Sequence, residues 1–401
     1  MIKKEFNHEM IKERFDVMDM LGEGSFGLVY KARDRRTKEI VAIKLIKQNL
    51  REGAEKVIAQ EMCHFETCEA KEELIQQLVQ EKQMRNYKYL LRELRIMANL
   101  KHKHLLNIKY VFLVKTVSFF EIFFVMTLLP TDLGKVILCK EIKLEEQHIK
   151  KIMFDLFSVV AYLHSNDISH RDIKPNNILI DECCEIYLCD LGLAKKIDSL
   201  GNNTELVMAR SYRAPEVIYS HGTYTSMIDL WSIGCIFYEL ITTKQLFNVK
   251  NYLDHLKQIL KFVGFPNETA LQQIEDEGIR NHILTYKDKG YGGEISNLQY
   301  SNPAAIDLLK KCLQFNPQER ITARDALKHF YFDENNGKDG EMEIENQINN
   351  ELNFEFENQE LTVIEARILI LEEVNKINSQ SGEKRVDVEA FKYENGIQSF
   401  Q

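Results

Sequence analysis

The first third of the chain alternates apolar and polar residues at the two-residue period of β-strands. Five strand-like runs are predicted, at Phe15 to Leu21, Leu28 to Ala32, Thr37 to Ile46, Asn107 to Val114 and Val117 to Leu129. A glycine-rich segment, GEGSFG at residues 22–27, links the first two runs. This pattern predicts a small five-stranded sheet that begins with a glycine-rich hairpin.

Helical spacing of apolar residues dominates the rest of the chain. Tyr89 to Met97 predicts an amphipathic helix, and further helices are predicted at Thr131 to Leu138, Glu145 to Ser165 and from Asp229 onward. A sheet-rich first part followed by a helical second part indicates an α+β fold.

Residues 48–87 form a longer connection than a link between a strand and a helix requires. Within it, Leu74, Ile75, Leu78 and Val79 fall on one helical face. The segment is interpreted as an inserted helix or helical hairpin, and it is either a solvated decoration or a binding surface for a partner.

The composition is that of a soluble globular protein, because 44% of the 401 residues are hydrophobic and 28% are charged. A chain of this length suits two lobes and an appendage. The net charge is −9, and residues 333–360 alone hold ten acidic residues and one basic residue. The remainder is therefore neutral, and no nucleic-acid partner is expected.

The eight cysteines show no paired CxxC spacing of a zinc site and are interpreted as reduced thiols. The N-terminus has no apolar core of signal-peptide length. The most apolar region, Val111 to Leu129, is interrupted by Lys115 and Glu121, so it predicts strands rather than a membrane span. A cytoplasmic or nuclear protein is expected.

The octapeptide HRDIKPNN, residues 170–177, resembles the catalytic loop of protein kinases. The resemblance implies that Asp172 accepts the proton of a substrate hydroxyl and that Asn177 holds a magnesium ion. Lys174 and Pro175, which follow the aspartate, resemble the serine/threonine kinases rather than the tyrosine kinases.

The glycines of residues 22–27 let the backbone approach nucleotide phosphates without Cβ clashes. A dinucleotide-binding fold would place a helix directly after them, whereas Leu28 to Ala32 continues as a strand. Lys44 lies in an apolar VAIK run, where its ammonium needs a partner. Nucleotide phosphates and Glu93 are the expected partners, and an edge-strand lysine that reaches solvent is the alternative.

Further motifs follow in order: DLG at 190–192, APE at 214–216 and DLWSIG at 229–234. Asp190 would be the second magnesium ligand, and a buried pair of Glu216 and Arg320 would anchor the large lobe. The ordered set resembles a eukaryotic serine/threonine protein kinase and implies its bilobal fold.

Residues 204–216, TELVMARSYRAPE, are similar to the activation segment of MAP kinases, which reads Thr-x-Tyr followed by Val-Ala-Thr-Arg-Trp-Tyr-Arg-Ala-Pro-Glu. Residues 246–266 resemble the insert segment of that family and of its cyclin-dependent relatives. FEFE at 354–357 resembles a C-terminal extension that the cyclin-dependent kinases lack. The chain is thus similar to the MAP kinases of the CMGC group, with an atypical activation motif.

This resemblance implies four regions. Residues 1–14 would be an N-terminal arm, and residues 15–128 a small β-sheet lobe with one main helix and the inserted segment 48–87. Residues 129–332 would be a mostly helical lobe with an insert at about 244–302, and residues 333–401 an acidic C-terminal extension.

The resemblance also implies that Mg-ATP binds between the lobes. Lys44, positioned by Glu93, would steady the phosphates, and Lys174 would offset charge on the transferring phosphoryl group. The residues expected to contact ATP are Leu21, Gly22, Glu23, Gly24, Ser25, Phe26, Gly27, Val29, Ala42, Lys44, Met126, Thr127, Leu129 and Leu179. The expected metal ligands are Asn177 and Asp190, and the expected structural anchors are Glu216, Arg320 and Asp229.

Two departures of the activation segment from the family pattern matter for its regulation. Thr204 matches the activating threonine, but Leu206 replaces the activating tyrosine, so dual phosphorylation is excluded. Ala209 replaces a threonine that in the family bonds to the catalytic Asp and Lys. Arg92, Arg171 and Lys195 match the family positions that clasp the phosphothreonine.

The expected function is ATP- and magnesium-dependent phosphorylation of serine or threonine, with proline as the expected next residue in the substrate. Protein substrates, an upstream activating kinase and docking peptides are the expected partners of a monomer that contacts neither nucleic acid nor membrane. The alternatives are a cyclin-dependent-like kinase and a pseudokinase that acts as a scaffold.

Overall fold

The structure, a computed structural model, describes residues 9–24, 27–46, 68–116, 120–196, 209–220, 224–287, 293–335 and 352–395. The chain divides into two compact units. The first unit comprises Met1–Lys101, Leu106–Leu129 and Glu351–Gln401, and the second comprises His102–Leu105 and Pro130–Asn350.

The described strands are β1 (Phe15–Gly24), β2 (Gly27–Asp34), β3 (Ile40–Ile46), β4 (Ile108–Lys115), β5 (Phe120–Thr127), β6 (Thr131–Asp132), β7 (Ile168–Ser169), β8 (Ile178–Ile180), β9 (Ile186–Leu188) and β10 (Lys195–Lys196). The described α-helices are α1 (Glu9–Arg14), α2 (Cys68–Asn99), α3 (Leu133–Leu138), α4 (Glu146–Ser165), α5 (Pro215–Tyr219), α6 (Met227–Thr242), α7 (Tyr252–Val263), α8 (Glu268–Gln272), α9 (Glu277–Leu284), α10 (Pro303–Cys312), α11 (Ala323–Leu327), α12 (Val363–Ser381) and α13 (Val388–Glu394).

The first unit is built on a five-stranded antiparallel sheet with the strand order β1-β2-β3-β5-β4. Tyr30, Ile43 and Val125, on three adjacent strands, are fully buried in its core. Alternate side chains of a strand point to the same face, so the apolar residues of each strand share the buried face. The five-stranded sheet predicted from the alternation of residue types is confirmed, with strand ends that differ by a few residues.

The sequence predicts two separate helices, one within the insertion at residues 48–87 and one from Tyr89 to Met97. The structure has a single helix, α2, in this region. It runs unbroken from Cys68 to Asn99, and no glycine or proline interrupts that span, so the backbone has no local reason to leave the helix. Its C-terminal half is buried, with Leu91, Leu94 and Ile96 at 1% exposure or less. The part of the insertion before Cys68 lies outside the described residues.

The end of the N-terminal arm belongs to the core of the first unit. Ile11 of α1 is buried, and Arg14 donates hydrogen bonds to Asp34 at 3.0 Å and to Glu383 at 2.9 Å. Tyr110 also hydrogen-bonds to Asp34. Arg14 therefore joins residues that are distant in sequence, including one that follows α12.

The second unit is mostly helical and is centred on α6. Ile228, Trp231 and Phe237 of this helix are fully buried. At Gly234 a Cβ atom would lie 2.7 Å from a methyl carbon of Leu313, so glycine allows Leu313, the residue after α10, to approach the helix. A three-stranded sheet, β6-β8-β9, and the β7–β10 pair carry the segments around the catalytic-loop motif.

Within the described part of the chain, no helix combines the length and the apolar character that a membrane crossing requires.

Candidate active site

The octapeptide at residues 170–177 is held by one buried carboxylate. Asp229, at the start of α6, accepts hydrogen bonds from the backbone N–H groups of His170 and Arg171, both at 2.9 Å. Its Oδ2 atom also lies 2.7 Å from the Ser169 hydroxyl and 2.9 Å from Nε2 of His164. These bonds fix a loop that is strained locally, since Arg171 has a φ of 67°.

The ionisation of Asp229 follows from these partners. Complete burial alone would raise the pKa of this carboxyl, but the hydrogen bond and charge of His164, the charge of His170 and the Ser169 hydroxyl outweigh burial and lower it. The group therefore remains an anion, which is the state that its donors require.

Asp172 is buried at 4% exposure and is surrounded by hydrogen-bond donors. Its Oδ2 atom lies 2.6 Å from Nζ of Lys174 and 2.9 Å from Nδ2 of Asn177. Its Oδ1 atom accepts the backbone N–H of Ala209 at 3.2 Å. A carboxylate with these donors is held in one orientation, as a positioned proton acceptor requires.

Asn177 is oriented by the same group of atoms. Its amide nitrogen donates both to Oδ2 and to the backbone oxygen of Asp172, the latter at 2.8 Å. The side-chain carbonyl oxygen of Asn177 is therefore the atom that can coordinate a cation. Oxygen is the ligand type that Mg²⁺ prefers.

Asp190 follows strand β9 and is linked to the catalytic loop through its neighbour Cys189. The N–H of Cys189 donates to the backbone oxygen of Asn177 at 2.9 Å, and its backbone oxygen lies 3.0 Å from Nε2 of His170. Asp190 itself has left-handed backbone angles, φ 65° and ψ 66°. The next residue, Leu191, is fully buried, so leucine makes an apolar contact in the DLG motif.

The predicted phosphate-binding segment is the β1–β2 hairpin of the first unit. Gly22 pairs with Val29, Glu23 with Leu28, and Gly24 with Gly27. Leu21, Gly22 and Glu23 are exposed, whereas Ser25 and Phe26 lie outside the described residues. A Cβ atom at Gly27 would lie only 2.1 Å from the backbone oxygen of Leu45, so the hairpin requires glycine there.

Lys44 and Glu93 are brought together as an ion pair. Lys44 Nζ lies 3.0 Å from Oε1 of Glu93, and the two side chains are 12% and 4% exposed. Lys44 lies on β3, and Glu93 lies on α2. The lysine therefore has a buried carboxylate partner, which an edge-strand lysine reaching solvent would not need.

The other residues predicted to contact ATP are distributed over both units. Ala42 of β3 pairs with Met126 of β5, and both are buried. Thr127 is exposed and Leu129 is half-buried. Leu179 lies on β8 in the second unit, where it is half-buried.

The three predicted phosphate-clasp residues have different surroundings. Arg92 forms two hydrogen bonds with Glu357, at 2.5 and 2.7 Å. Arg171 is 2% exposed, and Lys195 of β10 pairs with Ser169 of β7. Thr204 and Leu206 lie outside the described residues.

The predicted anchor of the second unit is a buried two-bond ion pair. Arg320 donates from Nη1 to Glu216 Oε1 at 2.7 Å and from Nη2 to Oε2 at 3.0 Å. It also donates to the backbone oxygens of Met227 and Gln314, and its guanidinium lies 5.3 Å from the ring centre of Trp231. Arg320 therefore connects Glu216 of α5 and the backbone at Gln314 to helix α6.

Comparison with known proteins agrees with this arrangement. A family model described as the protein kinase domain matches residues 74–332. The mitogen-activated protein kinase mpk-1 of Caenorhabditis elegans is 31% identical over 97% of this chain and 79% of its own length. Mitogen-activated protein kinase 14 of Xenopus laevis is 32% identical over 91% of this chain and 90% of its own length. The chain belongs to the MAP kinase family of protein kinases.

A third relative, extracellular signal-regulated kinase 1 of Dictyostelium discoideum, is 33% identical over 80% of this chain, but the match spans only 55% of that protein. The family expected from the ordered motifs is confirmed, and so is the serine/threonine kinase class. The glycine-rich hairpin and Lys44 precede the matched range of the family model, so their interpretation depends on the sheet and on the Lys44–Glu93 pair.

A protein kinase of this family uses ATP and a divalent metal ion. The residues of this MAP kinase fit both groups. Nothing lies within 4 Å of a Cβ built at Gly22, so the hairpin backbone is open to close approach at that residue. Asn177 and Asp190 would supply oxygen ligands from segments that are hydrogen-bonded to each other.

Sequence reasoning did not identify the residues through which the C-terminal extension holds α2. Lys88 donates to the backbone oxygens of Glu357 and Gln359 at 2.9 and 3.0 Å, and Arg95 donates to Asn353 O at 2.6 Å and to Glu373 at 2.7 Å. Lys88, Arg92 and Arg95 recur at helical spacing. This basic stripe on one helical face indicates a binding surface for acceptor groups, and it is visible in the sequence.

Proposed function

We propose that this MAP kinase transfers the γ-phosphoryl group of Mg-ATP to serine or threonine hydroxyls that precede proline, with Asp172 as the proton acceptor. The observation that carries the proposal is the orientation of Asp172 by Lys174, Asn177 and the backbone N–H of Ala209. Three donors on one carboxylate leave it a single orientation in which to meet a substrate hydroxyl.

The remaining residues have distinct roles in this proposal. Lys44, held by Glu93, orients the phosphates, and Asn177 and Asp190 hold magnesium. Lys174 already contacts Asp172, so its ammonium is placed to offset negative charge that develops beside the base. Positioning and electrostatics account for the rate enhancement, because no covalent intermediate with the protein is needed.

Ala209 supports Asp172 although its side chain cannot form a hydrogen bond. Its backbone N–H donates to the carboxylate at 3.2 Å, whereas the family threonine would also offer a hydroxyl. One of the two supports expected beside the catalytic aspartate is therefore retained, and this favours an active enzyme over a pseudokinase.

Preference for proline after the target hydroxyl has a physical basis. A proline residue has no backbone N–H, so it loses no hydrogen bond when the substrate backbone enters a site without an acceptor. Any other residue would leave a donor without a partner at a cost of about 1–3 kcal/mol. Rates on matched Ser-Pro and Ser-Ala peptides measure this preference, and equal rates would contradict it.

Regulation is proposed to act through phosphorylation at Thr204. The phosphate would recruit Arg92, Arg171 and Lys195, which combines residues of helix α2 with residues of the catalytic loop and β10. We expect activated wild-type kinase to lose activity on phosphatase treatment and Thr204→Ala to be insensitive to it. Equal activity of phosphorylated and dephosphorylated wild-type protein would contradict the proposal.

The test of the function as a whole is transfer of labelled γ-phosphate to a basic protein or Ser-Pro peptide. Activity should depend on Mg²⁺, stop with a chelator and return when Mg²⁺ is restored. A scaffold without catalysis would show no transfer at any phosphorylation state of Thr204.

A further inference from the structure

Two adjacent cysteines form the tip of the β8–β9 hairpin. Cys183 is exposed and Cys184 is half-buried, and neither forms a disulfide. The phosphotransfer mechanism uses neither thiol. They are the only directly adjacent cysteines in the sequence.

The backbone of this turn is closed by four hydrogen bonds centred on Asp181. Its backbone oxygen accepts the N–H of Cys184 at 3.2 Å, and its N–H donates to the oxygen of Glu185 at 3.1 Å. Its Oδ1 atom accepts the N–H groups of Cys183 and Glu185, both at 2.9 Å. The turn is therefore a rigid support for the two thiols.

The backbone conformation does not place the two side chains on opposite faces as a strand would. Adjacent side chains of a strand point to opposite faces, but Cys184 has a φ of 58°, so the alternation ends at this residue. Both cysteines lie in the turn between β8 and β9, outside either strand, so the alternation of side-chain direction in a strand does not apply to them.

A direct disulfide between these residues would be strained. Adjacent Cα atoms are about 3.8 Å apart across a trans peptide bond, which is shorter than the roughly 4.4–6.8 Å found in ordinary disulfides. Insertion of one atom between the sulfurs enlarges the ring and removes this mismatch. A soft, thiophilic atom that bonds to two sulfurs is the suitable bridge.

The electrostatic surroundings favour a reagent that accepts neutral thiols. Burial raises the pKa of Cys184, and the nearby charge of Lys151 only partly opposes this effect. Oxidants react with thiolates, which a raised pKa disfavours. Condensation of an organic arsenic oxide with two thiols carries both thiol protons away in one water molecule, so its equilibrium does not require either thiol to be ionised.

We propose that Cys183 and Cys184 form a dithiol site for monosubstituted compounds of trivalent arsenic. In the reaction of an organic arsenic oxide, two arsenic–sulfur bonds form and the arsenic–oxygen bond breaks. The two thiol protons leave with that oxygen as one water molecule. Arsenic remains trivalent, so neither an oxidant nor a reductant is required.

The test uses the reduced full-length chain and phenylarsine oxide in the presence of excess glutathione, which competes for isolated thiols. Intact-protein mass spectrometry should show one phenylarsenic adduct, and 2,3-dimercaptopropanol should remove it. Cys183→Ser and Cys184→Ser should each weaken binding by at least about tenfold, because the second thiol acts at a high effective concentration. Cys139→Ser, the matched control, should retain the adduct.

Tandem mass spectrometry of the digested wild-type adduct tests the site without any substitution. Arsenic on the peptide that contains residues 183 and 184 supports the proposal. The absence of a glutathione-resistant adduct would overturn it, and so would localisation to Cys63 and Cys68 or an adduct that survives in both serine variants.

Discussion

Arg92 of helix α2 and Glu357 of the C-terminal extension form a two-bond ion pair, with Nε–Oε1 at 2.5 Å and Nη2–Oε2 at 2.7 Å. Their side chains are only 4% and 13% exposed. These bonds use Nε and Nη2 of the arginine that is proposed to clasp a phosphothreonine, and its buried Nη1 atom has no hydrogen-bond partner among the residues that the structure describes. The extension thus holds the helix that carries Glu93, the partner of Lys44.

Replacement of Glu357 should loosen this attachment. Glu357→Gln removes the charge and should lower the free energy of unfolding by roughly 1.5–3 kcal/mol, the range for hydrogen bonds to charged groups. Glu357 lies in a 3₁₀ helix, Glu355–Glu357, and Glu355→Gln, at an exposed position of that helix, is the matched control. Urea denaturation of the three proteins measures the effect, and equal losses in both variants would show that the ion pair contributes nothing specific.

Gly27 and Gly22 should respond differently to alanine. At Gly27 the new Cβ would meet the Leu45 oxygen at 2.1 Å, whereas at Gly22 nothing lies within 4 Å. Gly27→Ala should therefore shift the β2–β3 pairing, at a cost of about 1–3 kcal/mol, and raise the KM for ATP. Melting temperatures and ATP titrations of both variants check this expectation, which fails if Gly27→Ala is as mild as Gly22→Ala.

The buried pair of Glu216 and Arg320 should be important for stability of the second unit. Glu216→Gln leaves the fully buried Arg320 charge without its anionic partner, and this should cost roughly 3–5 kcal/mol. Glu275→Gln, at an exposed position, serves as the control. Equilibrium unfolding followed by Trp231 fluorescence reports on the site directly, because the Arg320 guanidinium lies over that ring. A loss below about 1 kcal/mol would contradict the role as anchor.

Glu239 should make stability depend on pH near neutrality. Burial raises the pKa of its carboxyl to about 7, although the Tyr212 hydroxyl donates to it and acts in the opposite direction. The folded protein thus retains this proton to higher pH than the unfolded chain does. The stabilisation is fully present below the unfolded pKa and is lost as pH rises through about 7.

Glu239→Gln should remove this component. Between about pH 5.5 and pH 8, wild-type protein should lose roughly 1–3 kcal/mol more unfolding free energy than the variant. Glu182→Gln, which changes an exposed carboxylate, should follow the wild-type profile. Parallel profiles for wild type and Glu239→Gln would show that Glu239 ionises normally in the fold.

The sequence predicted those parts of the site that depend on short motifs. The octapeptide around Asp172, the VAIK lysine and Glu93 were found because each lies in a local pattern, and the structure then pairs Lys44 with Glu93 at 3.0 Å. The contact between α2 and the C-terminal extension could not be predicted in this way. Glu357 is 265 residues from Arg92, and nothing in either local sequence identifies the other.

The extent of helix α2 was not predicted correctly, although the sequence contains the information. Its apolar pattern is present in the sequence, but residues 48–87 lengthen the expected connection between a strand and a helix, which favours a separate inserted helix. Helix propensity is continuous across residues 68–99, and neither glycine nor proline marks a boundary. Local helix propensity alone therefore predicts one continuous helix over this span.

Asp172 is proposed to act as the proton acceptor in phosphotransfer, and Asp172→Asn tests this role most directly. Asparagine has nearly the same shape but cannot take the proton, so transfer should fall by at least about 10²-fold while the Kd for Mg-ATP stays within about threefold of wild type. Asp16→Asn, at an exposed site, should change neither quantity. Phosphotransfer at the wild-type rate by Asp172→Asn would contradict the account.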